Sequence, residues 1–172
     1  MGALHSYSVD VTWTGAGETG TTSYTSYSRD HNVVIRGRPV LLGSADPAFR
    51  GDPSRHSPEQ LFVAALSQCH MLWFLHLAAH DGIIVVGYSD QAIGTMRVES
   101  AGAGQFTGVV LHPRVVVRPA GRRAATDGPP NDRPVTDARL RGVHERAHDH
   151  CFIARSVNFP VLLEPTPFVT AT

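Results

Sequence analysis

The stretch from Leu61 to Ala79 is the most apolar in the chain, and it constrains the fold more than any other feature. Local chemistry marks its start. Ser57 stands as an N-cap, Pro58 at the first helical position and Glu59 in the first turn, and Gln60 completes a capping box. The helical pattern runs to about His80, and Gly82 follows as a C-terminal cap. Apolar residues fall on nearly every face of this helix, so something must cover it all round. Ser67, Gln68, His70 and His76 interrupt the run, which argues for a fully buried helix and against a membrane span.

The remainder reads as strands and turns. Tyr7, Val9, Val11 and Trp13 alternate with polar residues over 5–14, the period of a half-buried strand. A glycine-rich turn at 15–20 leads into a Thr/Ser/Tyr-rich strand at 21–28, then strands at 32–35 and 40–42, an antiparallel meander. Residues 44–56 read as a loop. After the helix, strands are expected at 83–86, 93–99, 106–111 and 115–118, a loop at 119–134, and a last strand at 159–164. Thr136 or Asp137 caps a second helix, whose stripe of Leu140, Val143 and Ala147 extends to Cys151. Two helices among these strands, mostly in hairpins, predict an α+β fold, and 172 residues suit a single domain over 1–172.

Lys+Arg and Asp+Glu both number 15, so the formal charge is zero, and no polyanion surface or nucleic-acid partner is expected. All the basic residues are arginines, which favours bidentate, always-charged pairing in any site. The first six residues lack the basic and apolar regions of a secretory signal, so a cytoplasmic location is expected.

Chemistry centres on two cysteines. Cys69 lies mid-helix beside Phe62, Leu66, Leu72 and Trp73, where a thiol is ordinarily a small buried hydrophobe. A plain thiol is only about 3% ionised at neutral pH, and this one is too far from the helix N-terminus to benefit from its dipole. A reactive Cys69 therefore requires a cation from elsewhere, and arginine is the obvious supplier. Cys151 follows His148-Asp149-His150 and reads either as a packed thiol or, with His144 and His148, as a zinc ligand. Cys-x-x-Cys is absent, no metal or other cofactor is expected, and the ten histidines should be mostly solvated. Ser67 and Ser156 lack the glycine-flanked elbow of a hydrolase, and no phosphate-cradling loop exists. Spacing alone leaves the role of the cysteines open.

The segment Ser57-Pro58-Glu59-Gln60-Leu61 through Ser67-Gln68-Cys69-His70 resembles the signature of the osmotically inducible protein C (OsmC) and organic hydroperoxide resistance (Ohr) family. Ala147-His148-Asp149-His150-Cys151-Phe152-Ile153-Ala154 is similar to that family's second cysteine motif, and Ser28-Arg29-Asp30-His31 to the segment holding its arginine. Ser28 stands where Ohr-type members usually have glycine, residues 44–53 are an insertion relative to that branch, and Arg36 and Arg38 are alternative cations. The resemblance implies antiparallel sheets wrapped around two central helices in an entwined homodimer, which would cover the apolar helix.

It also implies a peroxidase. Cys69 attacks a hydroperoxide, Cys151 resolves the sulfenic acid as a disulfide, and a dithiol reductant such as a lipoyl protein restores the thiols. Arg29 would stabilise the thiolate and the developing oxyanion, with Glu59 orienting Arg29. Ten residues separate Glu59 from Cys69, roughly 15 Å along a helix. Unless Arg29 spans that gap, Glu59, alone or with Arg29, must approach Cys69 from the other subunit. Two further readings are a catalytically silent small-molecule or lipid-binding dimer on the same fold, and the zinc-binding structural protein.

Overall fold

The computed structural model describes residues 2–100, 102–118 and 134–171, so most of the loop expected at 119–134 lies outside the described residues. The fold is α+β and organises into two compact units, Met1–Phe62 and Val63–Thr172.

In the first unit, β1 (Asp10–Trp13), β2 (His31–Val34) and β3 (Leu41–Gly43) form the expected antiparallel meander. Gly43 pairs with His31, and a Cβ there would stand 2.2 Å from the His31 ring, so the register admits only glycine. The expected strand at 21–28 is instead a series of turns. Hydroxyls explain the difference: Ser26 Oγ donates to the Gly20 carbonyl at 2.6 Å and accepts the Ser23 amide at 3.0 Å. Such local bonds satisfy the backbone without a ladder partner. Residues 44–56 are a tightly tied loop containing a short 3₁₀ turn, Pro47–Phe49, capped by Asp46. The buried Ser44 hydroxyl holds it, donating to Asp30 and accepting the Asp52 amide.

Helix α1 spans Pro58–His80, and its first turn belongs to the first unit. The capping box forms as the sequence predicts: Gln60 N–H donates to Ser57 Oγ, and Ser57 N–H donates to Gln60 Oε1. At the other end Gly82 adopts φ 70°, the Gly82 amide bonds the Ala79 carbonyl, and the Ile83 amide bonds Ala78. This is a Schellman motif, and the buried Ile83 supplies its apolar contact.

In the second unit, β4 (Val85–Asp90), β5 (Ile93–Val98), β6 (Gly104–Leu111) and β7 (Pro113–Val117) precede α2 (Asp137–His150), β8 (Val161–Leu163) and β9 (Val169–Thr170). Two sheets result, β4-β7-β9 and β5-β6-β8. β5 and β6 form an antiparallel hairpin and β4 pairs antiparallel with β7, but β8 joins β6 and β9 joins β7 in parallel. Only His112 separates β6 from β7, so the chain changes sheets there. Asp90 Oδ1 accepts the His112 amide at 2.7 Å, and the His112 ring donates to the Gln91 carbonyl.

The core of this unit gathers Phe74 and Ala78 of α1, Ile83, Val115 and Val117, and Leu140, Val143 and Ala147 of α2. Thr136 is the α2 cap, its hydroxyl accepting the Arg139 amide. Helix α1 is long and apolar enough, by length and composition, to cross a membrane. Its interruptions are used instead: Ser67 donates to Asp90 and His70 bonds His144 inside the unit. All-round burial does not hold within one chain. One stripe is buried, Leu66, His70, Phe74 and Ala78, while Leu72 is 62% exposed.

The Schellman geometry gives a direct check. A side chain at φ 70° costs about 1–2 kcal/mol, so Gly82→Ala should lower unfolding stability by that amount in urea titration, with the m-value unchanged.

Candidate active site

Cys69 lies mid-way along α1, partly exposed, and Cys151 is the C-cap of α2, 1% exposed. Although 151 − 69 = 82 residues separate them, the second unit brings the two free thiols into a hydrogen bond. The α2 stripe ends at Cys151 because its amide still bonds the His148 carbonyl, while its own carbonyl accepts the Arg155 amide. Burial, and then the bond to Cys69, push the Cys151 thiol up to about 11, against the Ala154 amide that points at Sγ from 3.4 Å. Cys151 is therefore a neutral thiol at physiological pH.

Arg29 and Glu59 both lie in the first unit. The turns at 21–28 form a cage for Arg29. Its guanidinium carbon sits 4.3 Å from the Tyr24 ring centre and 4.2 Å from that of Tyr27, and its N–H groups donate to the carbonyls of both tyrosines. Arg36 and Arg38 stand exposed after β2. Glu59 Oε2 is buried without a hydrogen-bond partner, a costly state for a carboxylate unless a cation or donor reaches it.

The expectation that histidines are mostly solvated fails at two of them. His70 and His144 are buried, their rings stacked and joined Nε2 to Nδ1 at 2.9 Å, and His144 also stacks on Phe74 at 4.1 Å. One ring must donate and the other accept, and burial favours the neutral form of both. Burial lowers His70 to about 4 and His144 to about 3. Nearby, Tyr88 has a buried, unpartnered hydroxyl whose pKa is raised by burial and by Asp90. Position carried the signal for the histidine pair. His70 is four residues from both Leu66 and Phe74, and His144 four from Leu140, which places each on an apolar stripe. Among the described residues no three His, Cys, Asp or Glu side chains are placed to hold a metal ion.

Residues 51–165 match the family described as OsmC-like protein. The chain belongs to that family. A search of curated proteins returned no match. Among solved structures, an OsmC-like protein of unknown function from Vibrio cholerae is 35% identical, with a TM-score of 0.76, over 95% of this chain and all of the other. An organic hydroperoxide resistance protein from Legionella pneumophila is 17% identical (TM-score 0.64, 99% and 100% covered). The organic hydroperoxide resistance protein OhrB of Bacillus subtilis is 19% identical (TM-score 0.60, 95% and 100% covered). At these lower identities the likeness is one of OsmC/Ohr fold.

The histidine pair makes stability pH-dependent. Both folded-state pKa values lie below the ordinary 6.5, so between about pH 6.5 and 4 the unfolded chain binds more protons. Stability should fall on acidification through that window, by up to about 1.4 kcal/mol per pH unit for each ring. His144→Asn keeps a polar partner for His70 without titrating, and should flatten the slope in urea unfolding followed against pH.

Proposed function

We propose that this OsmC-like protein is a cysteine-based peroxidase that reduces organic hydroperoxides, and hydrogen peroxide at its own rate. The observation carrying this reading is the preformed contact between the chain's two cysteines, one accessible and one buried. The names of the Legionella pneumophila and Bacillus subtilis neighbours support it.

Cys69, as thiolate, attacks the distal oxygen of the hydroperoxide. An S–O bond forms, the O–O bond breaks, and the alkoxide leaves as alcohol after taking a proton. The Cys69 sulfenic acid then condenses with the Cys151 thiol, forming S–S and releasing water. An external dithiol, such as dihydrolipoamide on a lipoyl protein, returns two electrons by thiol–disulfide exchange. Arg29 stabilises the thiolate and the departing alkoxide, and Glu59, whose Oε2 lacks a partner, orients it. We further read the chain as one OsmC/Ohr-like domain acting in the cytoplasm as an entwined homodimer. The exposed Leu72 face of α1 supports a second copy as its cover.

Steady-state turnover with cumene hydroperoxide, and then hydrogen peroxide, tests the reading with dihydrolipoamide and thioredoxin as alternative reductants. Cys69→Ser should abolish activity. Cys151→Ser should leave the first oxidation of Cys69 intact and block recycling. A Cys69→Ser protein that still turns over would defeat the proposal, and inert thiols in the wild type would leave the silent binding dimer standing.

Arg29→Ala should slow single-turnover oxidation about 10²–10³-fold, the usual scale for removing one oxyanion-stabilising donor. Arg29→Lys should not restore the rate, and Glu59→Gln should cost less than losing the arginine. Wild-type oxidation by Arg29→Ala would move the cation to Arg36 or Arg38.

A further inference from the structure

A thiol with a pKa near 11 is about one part in 10⁴ ionised at neutral pH. Such a thiol is a slow nucleophile unless it is held where it reacts, so the resolving step depends on placement. Helix α2 ends at His150, and beyond Cys151 the chain makes a single 3₁₀ turn, Ala154–Ser156. The Arg155 amide on the Cys151 carbonyl and the Ser156 hydroxyl on the Phe152 carbonyl hold the backbone locally, but neither bond ties the 150–152 segment to α1.

The other tether is Trp73 of α1, one helical turn beyond Cys69. Its ring centre lies 5.0 Å from the His150 ring, tilted, and 5.5 Å from the Phe152 ring, edge to face. These are the two residues that flank Cys151. His76 packs edge-on against the same indole at 5.6 Å, and Trp73 itself rests on the buried core of the second unit. The indole thus grips the chain on both sides of the resolving cysteine and is anchored on the helix that carries the attacking one. Phe152 is 68% exposed yet keeps its edge contact with Trp73, which general burial does not explain.

We propose that Trp73 is a positioning residue for the resolving thiol: by clasping His150 and Phe152 it holds Cys151 against Cys69 and sets the speed of disulfide formation. The inference rests on the peroxidase reading for its kinetic form. In the step concerned, the Cys69 S–O bond and the Cys151 S–H bond break, S–S forms, and water leaves. The competing fate is attack of the sulfenic acid on a second hydroperoxide, giving sulfinic acid and alcohol. The clasp decides between them.

The test uses full-length protein with Trp73→Ala, Trp73→Phe and Phe152→Ala. The last removes an exposed ring and leaves the core untouched. After one equivalent of cumene hydroperoxide, the loss of peroxide should be unchanged in all three. Disulfide formation, followed by quenching and intact mass, should slow about tenfold or more in Trp73→Ala, the size expected from losing two aromatic contacts. Phe152→Ala should show a smaller slowing, and Trp73→Phe should recover most of the rate. With excess hydroperoxide, sulfinic acid at Cys69 should rise in the same order.

Equilibration of the thiol pair against glutathione provides a readout that needs no peroxidase activity, and the effective concentration of the pair should fall in parallel. Wild-type disulfide formation and unchanged sulfinic acid in both Trp73→Ala and Phe152→Ala would overturn the proposal. So would equal slowing of both steps. A wild type that consumes no hydroperoxide but loses thiol-pair stability in these variants would sink the peroxidase reading and leave the clasp intact.

Discussion

The 2.9 Å bond between His70 and His144, closed on one side by Phe74, is the contact on which the rest of the second unit depends. One facing nitrogen must donate and the other accept, so charging the acceptor ring would set two donors face to face, and burial opposes charging either ring. The pair accordingly remains neutral, and it fixes α1 and α2 in one rotation about their axes. A slip of either helix would leave two buried ring nitrogens unpaired, at about 1–3 kcal/mol each. Apolar packing alone tolerates such slips more readily, because it is not directional. Cys69 adjoins His70 in sequence and Cys151 lies seven residues, about two turns, beyond His144. The meeting of the thiols follows from that locked rotation.

The two thiols meet in unequal surroundings. Cys151 is sealed and neutral, and the bond it shares with Cys69 further favours its protonated form. Cys69 is the accessible member. In the proposed peroxidase cycle, a peroxide would meet the more accessible Cys69 first, and the sealed Cys151 would be protected from direct oxidation until its neighbour became electrophilic. Under that proposal, the chain would place its resolving thiol by packing and leave its reactivity low, limiting side reactions with other oxidants.

The boundaries of α1 were legible because they are local: Ser57, Gln60 and Gly82 each act within a few residues and require nothing from the rest of the fold. The pairing of β2 with β3 is legible for the same reason, whereas β1 pairs with β2 across residues 14–30, where the composition suggests an intervening strand. Residues 21–28 misled because Ser, Thr and Tyr suit a strand by composition, while their hydroxyls bond the backbone locally when no neighbouring strand competes. The parallel placement of β8 and β9 was invisible, since it depends on the crossover through α2 and not on turn residues. The histidine pair is legible only from register, since both residues fall on apolar stripes and the number of histidines carries no such signal. The two cysteines were singled out by resemblance, but their contact is a property of the folded second unit.

The misread strand also bears on the proposed site. A strand through 21–28 would point Tyr24 and Tyr27 to opposite faces, because side chains alternate along a strand and their spacing is odd. The turns bring both rings onto the guanidinium of Arg29 and aim both tyrosine carbonyls at it. A flat cation held between two rings keeps its plane fixed while its remaining N–H groups stay available, and an ammonium has no plane to hold. The cage therefore selects arginine on shape before any partner is considered. That selectivity fits a residue that must present several donors in one orientation to a thiolate and an oxyanion, and it would be superfluous for a cation serving only as solvated surface charge.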